Sequence, residues 1–217
     1  MEQLYTFFIY SALLILVMLL AEFSFKVLKF NTEWTRKIAH IGSGIVALSY
    51  PDYVKSHWIV LALTVSFMLI LYFSKKFGLF KSIFSVGRKS HGELFFVWSS
   101  WLLFWLFLYT GKVIYFYLPF SIVVFADPAA ALLGKAYPLK KYTILKSTKS
   151  YAGSFTFFLV SFFLTYYFVR QTAIFEHIFY FSLVHAFVLT LVEAISSKGW
   201  DNFNIPLVSV LMIYFLV

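Results

Sequence analysis

The sequence predicts an all-α, polytopic integral membrane protein with about eight transmembrane helices. Three observations predict it. Of 217 residues, 62% are hydrophobic and only 12% are charged, with a mean hydropathy of +0.86, whereas a soluble domain carries about 25% charged residues. Apolar runs of membrane-spanning length recur along the chain, and the cations are concentrated in alternate connections between them. Cysteine is absent, which excludes a disulfide scaffold, a zinc–thiolate centre and a catalytic thiol. The net charge of +9 does not mark a nucleic-acid partner, because the basic residues sit between apolar runs rather than on a polar fold.

A helix crossing the hydrocarbon core needs roughly 20 mostly apolar residues. Such runs lie near 4–25, 37–54, 57–74, 93–110, 113–134, 152–169, 174–195 and 203–217. The first is too long for the apolar stretch of a signal peptide, follows the acidic Glu2 and precedes no small-residue cleavage site, so it is expected to stay as a membrane helix. The second and last spans carry the weakest signal. The second opens with polar residues, and the last is short and follows Asn204 and Pro206 closely. No repeat or long linker divides the chain, so residues 1–217 read as one domain with a motif-bearing core at 36–206.

Sorting the cations fixes the expected orientation. The odd-numbered connections hold 15 of the 18 Lys and Arg residues, among them Lys26, Arg36, Lys75, Arg88, Lys140, Lys149 and Lys198. The even-numbered ones hold only Lys55, Lys112 and Arg170. The positive-inside rule then puts the cation-rich side in the cytoplasm and both termini outside.

Five constellations gather on that side. Arg36-Lys37-Ile38-Ala39-His40 opens span two, with Arg36 and His40 one turn apart on a helix. Its bland reading is an anchoring cation pair, with Gly42 and Gly44 permitting close packing. Ser90-His91-Gly92-Glu93 fits a helix capping box, although Glu93 is also a candidate metal or substrate contact. Asp127-Pro128 interrupts span five. A carboxylate inside a hydrophobic span marks function by default, and the proline predicts a break or fresh helix start, which at membrane depth must line a cavity or be buried in protein. The alternative is a small-residue packing face with Asp127 as a cap. Lys146-Ser147-Thr148-Lys149-Ser150-Tyr151-Ala152-Gly153-Ser154 leads into span six. Lysines, hydroxyls and a glycine at a helix start suit a phosphate, or a basic loop on anionic lipid. Glu193, Ser196, Ser197, Lys198, Asp201 and Asn202 cluster before the last span; the two carboxylates and the amide suit a hard divalent cation, or else form an Asp-Asn turn with Glu193 paired to Lys198. Glu22 and Lys26 read as a local pair, and His57, His177 and His185 as structural or interfacial.

Phosphate chemistry calls for this combination of cations, hydroxyls and carboxylates on one face. A transporter spreads polar groups about the midplane of several spans, whereas here the midplane is mostly Phe, Leu, Val and Ile.

At these residues the chain resembles the membrane family of CTP-dependent lipid-alcohol kinases. The family includes dolichol, phytol and farnesol kinases and CTP-dependent diacylglycerol kinase, and is distantly related to phosphatidate cytidylyltransferase. The RKIAHIGSG, ADPAAALLGKAYP, KSYAGS and SSKGWDNFNIP segments occur in the family's order. Two departures are Ala126, where the family usually has glycine, and Pro138, where a glycine often closes the central block.

The resemblance implies γ-phosphate transfer from CTP to the hydroxyl of a membrane lipid alcohol, an isoprenoid alcohol or diacylglycerol, with Mg²⁺. Arg36, Lys37, Gly134, Lys135, Lys149, Ser150, Gly153, Ser154 and Asn202 are the expected nucleotide-binding residues. Asp127 is the expected metal ligand, assisted by Asp201 or Glu193. His40, Glu93 and Asp127 are the candidates for general base. Two alternatives are CMP transfer to a phospholipid and transport without chemistry.

Overall fold

The computed structural model describes residues 1–80, 91–137, 139–145, 147–172 and 177–216. Ser90, Pro138, Lys146 and the start of the expected seventh span lie outside the described residues. α1 (Glu2–Lys26) runs into α2 (Thr32–Leu48), which Asn31 caps by accepting the Trp34 backbone N–H at 3.0 Å. The short α3 (Tyr50–Tyr53) turns the chain into α4 (His57–Phe77). α5 (Gly92–Thr110) ends at Gly111, whose φ of 68° is a left-handed stop that glycine adopts without strain.

The following helical rod sits at the centre of the molecule. α6 (Ile114–Ser121) passes through a wide π turn (Ile122–Ala126) into α7 (Asp127–Ala136). The rod packs against α2, α5, α8 (Tyr151–Thr172) and α10 (Asp201–Leu216). As a potential span it is 61% buried, against 22–39% for the others. Its side chains make the core: Phe116, Leu118, Phe120, Ile122, Val123 and Val124 are wholly buried. α9 (Ile178–Ile195) lies against α8 and α10. Outward faces of α1, α4, α8 and α9 expose Leu, Phe and Ile, as a lipid-facing surface requires.

Six helices among the described residues are long and apolar enough to cross a membrane: α1, α4, α5, the central rod, α8 and α9. The two runs with the weakest signal form shorter helices, α2 of 17 residues and α10 of 16. A helix of 16 residues is about 24 Å long, short of a roughly 30 Å hydrocarbon core.

The all-α membrane class holds, with one addition: β1 (Lys141–Ile144) and β2 (Ser147–Ser150) pair antiparallel in the basic loop, with Lys141 opposite Ser150. Alternation in KYTI and STKS is too short to announce strands in a segment so rich in lysine. At Asp127-Pro128 the outcome is a fresh α-helix start rather than a break. Proline is tolerated in the first turn of a helix, and the preceding wide turn absorbs its missing N–H, so the rod continues.

Candidate active site

The wide turn explains how the site is assembled. In a π turn the N–H of residue i+5 bonds the carbonyl of residue i. Pro128 has no N–H, and the carbonyl five residues before it belongs to Val123. His40 on α2 takes that acceptor, its Nε2–H donating to the Val123 carbonyl at 3.0 Å. This bond leaves the lone pair of neutral His40 on Nδ1. α2 approaches closely because Gly44 faces Val124, where an added Cβ would stand 2.5 Å from Val124 Cγ2.

One turn earlier on α2, Lys37 Nζ lies 2.7 Å from Asp127 Oδ2, with both side chains largely buried. Asp127 is therefore an ion-pair partner, not a helix cap. The second charged group comes from the hairpin. β2 carries Lys149 against Glu193 at the end of α9, and Lys149 Nζ lies 3.8 Å from Asp201 Oδ2 at the start of α10. Glu193 thus pairs with Lys149 rather than with Lys198. Burial works to lower the pKa of Lys149, but the Glu193 and Asp201 carboxylates outweigh it and hold the pKa above the ordinary lysine value.

The join between α7 and α8 is nearly side-chain-free. A Cβ on Gly134 would lie 2.7 Å from Ser150 Oγ and 3.0 Å from Gly153 Cα. Ser150 bridges the two segments, donating to the Gly134 carbonyl and accepting the Gly153 N–H, each at 3.1 Å. Tyr142 on β1 hydrogen-bonds Ser154 and ties the hairpin to the first turn of α8. At the far wall, Asn202 Nδ2 donates to the Gly92 carbonyl at 2.8 Å, and the His91 N–H donates to the Lys198 carbonyl at 3.1 Å. The α9–α10 loop is thereby fixed to the start of α5.

These groups line one cleft of about 1,020 Å³. Into it the fold brings Arg36, Lys37, His40, Glu93, Asp127, Gly134, Lys135, Lys149, Ser150, Gly153, Ser154, Glu193, Asp201 and Asn202. Residues separated by more than 160 positions in sequence thus share one wall-to-wall space. Lysines, hydroxyls and the N-terminal turn of α8 suit phosphate oxygens. Among the described residues no three His, Asp or Glu side chains form a preassembled metal cluster. Mg²⁺ in phosphoryl-transfer sites uses one or two carboxylates and completes its shell with phosphate and water, so this donor set fits it. Glu193 Oε2 is buried with no hydrogen-bond partner among the described residues, an acceptor left over for such a ligand.

Over 205 residues, 90% of its length, the chain is 32% identical to the phytol kinase of Synechocystis sp., covering 84% of that protein. The chain belongs to the lipid-alcohol kinase family. No family model and no solved structure matches it.

Sequence reasoning missed two charged contributors to the cleft of this family member. Glu33 lies four residues before Lys37 and joins the lining; that helical spacing was the available signal. Lys141 enters because the hairpin sets it opposite Ser150, and no linear pattern announced that pairing.

Proposed function

We propose that this chain transfers the γ-phosphate of a nucleoside triphosphate, CTP by preference, to the hydroxyl of a membrane lipid alcohol at the cytoplasmic face. The observation that carries the proposal is the pair of lysine–carboxylate groups, Lys37–Asp127 and Lys149–Glu193–Asp201, lining one cleft in a chain akin to a phytol kinase. Phosphoryl transfer asks a protein for position and charge more than covalent chemistry. Without substrate, each lysine is held by a carboxylate. On binding, Lys37 and Lys149 exchange those partners for phosphate oxygens, with Arg36 and Lys135 at the rim. The released Asp127, assisted by Asp201 or Glu193, would then hold Mg²⁺, which would neutralise charge on the phosphate oxygens.

Ser150 and Ser154 position the phosphates, and the tight side-chain-free contact of Gly134 with Gly153 brings α7 and the start of α8 together around them. The alcohol oxygen bonds to the γ-phosphorus as the bond to the β-phosphate bridging oxygen breaks, and the nucleoside diphosphate leaves. The hydroxyl proton passes to a base in the cleft. His40 Nδ1 is the best placed of His40, Glu93 and Asp127, because its other ring nitrogen is committed to Val123. Counted over eight spans, 15 of the 18 cations fall on the side of the cleft, which supports the cytoplasmic assignment and external termini.

Purified protein in lipid vesicles with γ-labelled CTP and an isoprenoid alcohol tests the proposal. Label should enter the lipid fraction, with unlabelled CTP competing better than ATP. Absence of transfer to every lipid alcohol tried would contradict it.

A further inference from the structure

A wholly buried histidine lies outside the cleft and takes no part in the chemistry above. His185 sits near the middle of α9, and its ring is held on both edges. Thr165 Oγ1 on α8 donates its single hydrogen to the Ser161 carbonyl at 2.7 Å. Towards His185 Nδ1, 2.8 Å away, it therefore accepts. Nδ1 carries the hydrogen of the neutral ring, and the lone pair on Nε2 accepts from Ser209 Oγ of α10 at 3.0 Å. Phe181, one turn earlier on α9, stacks on the ring with centroids 5.4 Å apart. Thr165 and Ser209 are wholly buried as well.

The three helices joined at this ring each carry a segment of the cleft. Gly153 and Ser154 open α8, Glu193 lies at the end of α9, and Asp201 and Asn202 open α10. His185 is eight residues from Glu193 and Ser209 eight from Asp201, about 12 Å along each helix, while Thr165 is eleven from Ser154, about 16 Å. Apolar packing sets the sliding of such helices weakly, because lipid tails are as apolar as the side chains they would replace. Hydrogen bonds weaken steeply when stretched or bent, so one ring bonded to both neighbours admits one register. Pro206 removes a backbone bond between Ser209 and Asp201, but Ser99 Oγ takes the freed Asn202 carbonyl at 2.7 Å and keeps this part of α10 tied down.

We propose that His185 is a positioning residue for the phosphate site: through Thr165 and Ser209 it sets the register of α8, α9 and α10, and so the spacing of Ser154, Glu193 and Asp201. The inference rests on the kinase reading above for what that site binds. Thr165→Val keeps the shape and removes the hydroxyl, Thr165→Ser keeps the hydroxyl, and Ser209→Ala cuts the bond on the other edge. Thr165→Val and Ser209→Ala should each raise the nucleotide KM about tenfold, with Thr165→Ser close to wild type. A merely structural histidine would instead lower the melting temperature and, through lost active protein, kcat, with the nucleotide KM unmoved; that result would overturn the assignment.

A second readout needs no turnover. The chain has no cysteine, so spin labels on Phe155→Cys and Ile195→Cys, both exposed positions beside the site segments of α8 and α9, report the spacing directly. Their distance distribution should be narrow in the otherwise wild-type protein and broader or displaced with Thr165→Val. A distribution unchanged by Thr165→Val and Ser209→Ala would overturn the positioning role. Wild-type protein that transfers no phosphate, with the distribution still altered by Thr165→Val, would uphold the shared register and overturn the kinase reading.

Discussion

Lys37 and Asp127, 90 positions apart, meet at 2.7 Å where α2 crosses the start of α7. Removing one partner of a buried pair costs about 3–5 kcal/mol because the other charge is stranded. Lys37→Met and Asp127→Asn should each lower the melting temperature in detergent and reduce phosphate transfer by about 100-fold or more. The exchanged double variant, Lys37→Asp with Asp127→Lys, should recover stability without recovering activity. Recovery of both would reduce the pair to a structural clamp.

Lys149 gives a pH test. Its raised pKa in the folded state means that its ion pairs contribute full stability below the ordinary lysine value of about 10.4, and that the contribution is lost as pH rises through the higher folded value. The melting-temperature gap between wild type and Lys149→Met should be constant from about pH 7 to 10 and narrow above that range. A gap that closes already near pH 8 would contradict the assigned pairing.

The Gly134–Gly153 contact leaves no room for a methyl group. Gly134→Ala and Gly153→Ala should each destabilise by about 1–3 kcal/mol through overpacking and raise the nucleotide KM, because α7 and α8 must separate. A Gly42→Ala change also presses on a neighbour, Val17, but lies away from the phosphate-binding segments. It should cost stability with a smaller effect on the nucleotide KM, which initial-rate kinetics will show.

The cysteine-free sequence makes orientation simple to measure. Single cysteines at the exposed Thr143 and Lys112 should react oppositely with an impermeant maleimide in intact cells. Lys112→Cys should be labelled, and Thr143→Cys only after permeabilisation. The reverse pattern would put the cleft outside.

Most of the polar lining of the cleft was legible because its chemistry is dense and its surroundings are not. Asp127 stands out in a hydrophobic span, and the small residues from Ala129 to Gly134 leave space beside it. The pairing was not legible. Glu193 has Lys198 within five residues, yet pairs with Lys149, because the hairpin swings β2 across to the end of α9. The wide turn was hidden as well, since Pro128 alone reads as a break, and only the donor on α2 shows how the Val123 carbonyl is satisfied. His185, read as structural or interfacial, is wholly buried and bonded to Thr165 at 2.8 Å and Ser209 at 3.0 Å, joining α8, α9 and α10, although neither partner could be named in advance. Tertiary partners of this kind leave no spacing in the sequence.

The central claim is transfer of a terminal phosphate to a lipid hydroxyl, and paired isotopes test it most directly. Wild-type protein is incubated with a twenty-carbon isoprenoid alcohol and CTP labelled at either the α or the γ position, and the lipid fraction is counted. The account predicts label in the lipid from γ-labelled CTP alone, lost in Asp127→Asn. Label from the α position, or γ-label transfer undiminished in Asp127→Asn, would contradict it.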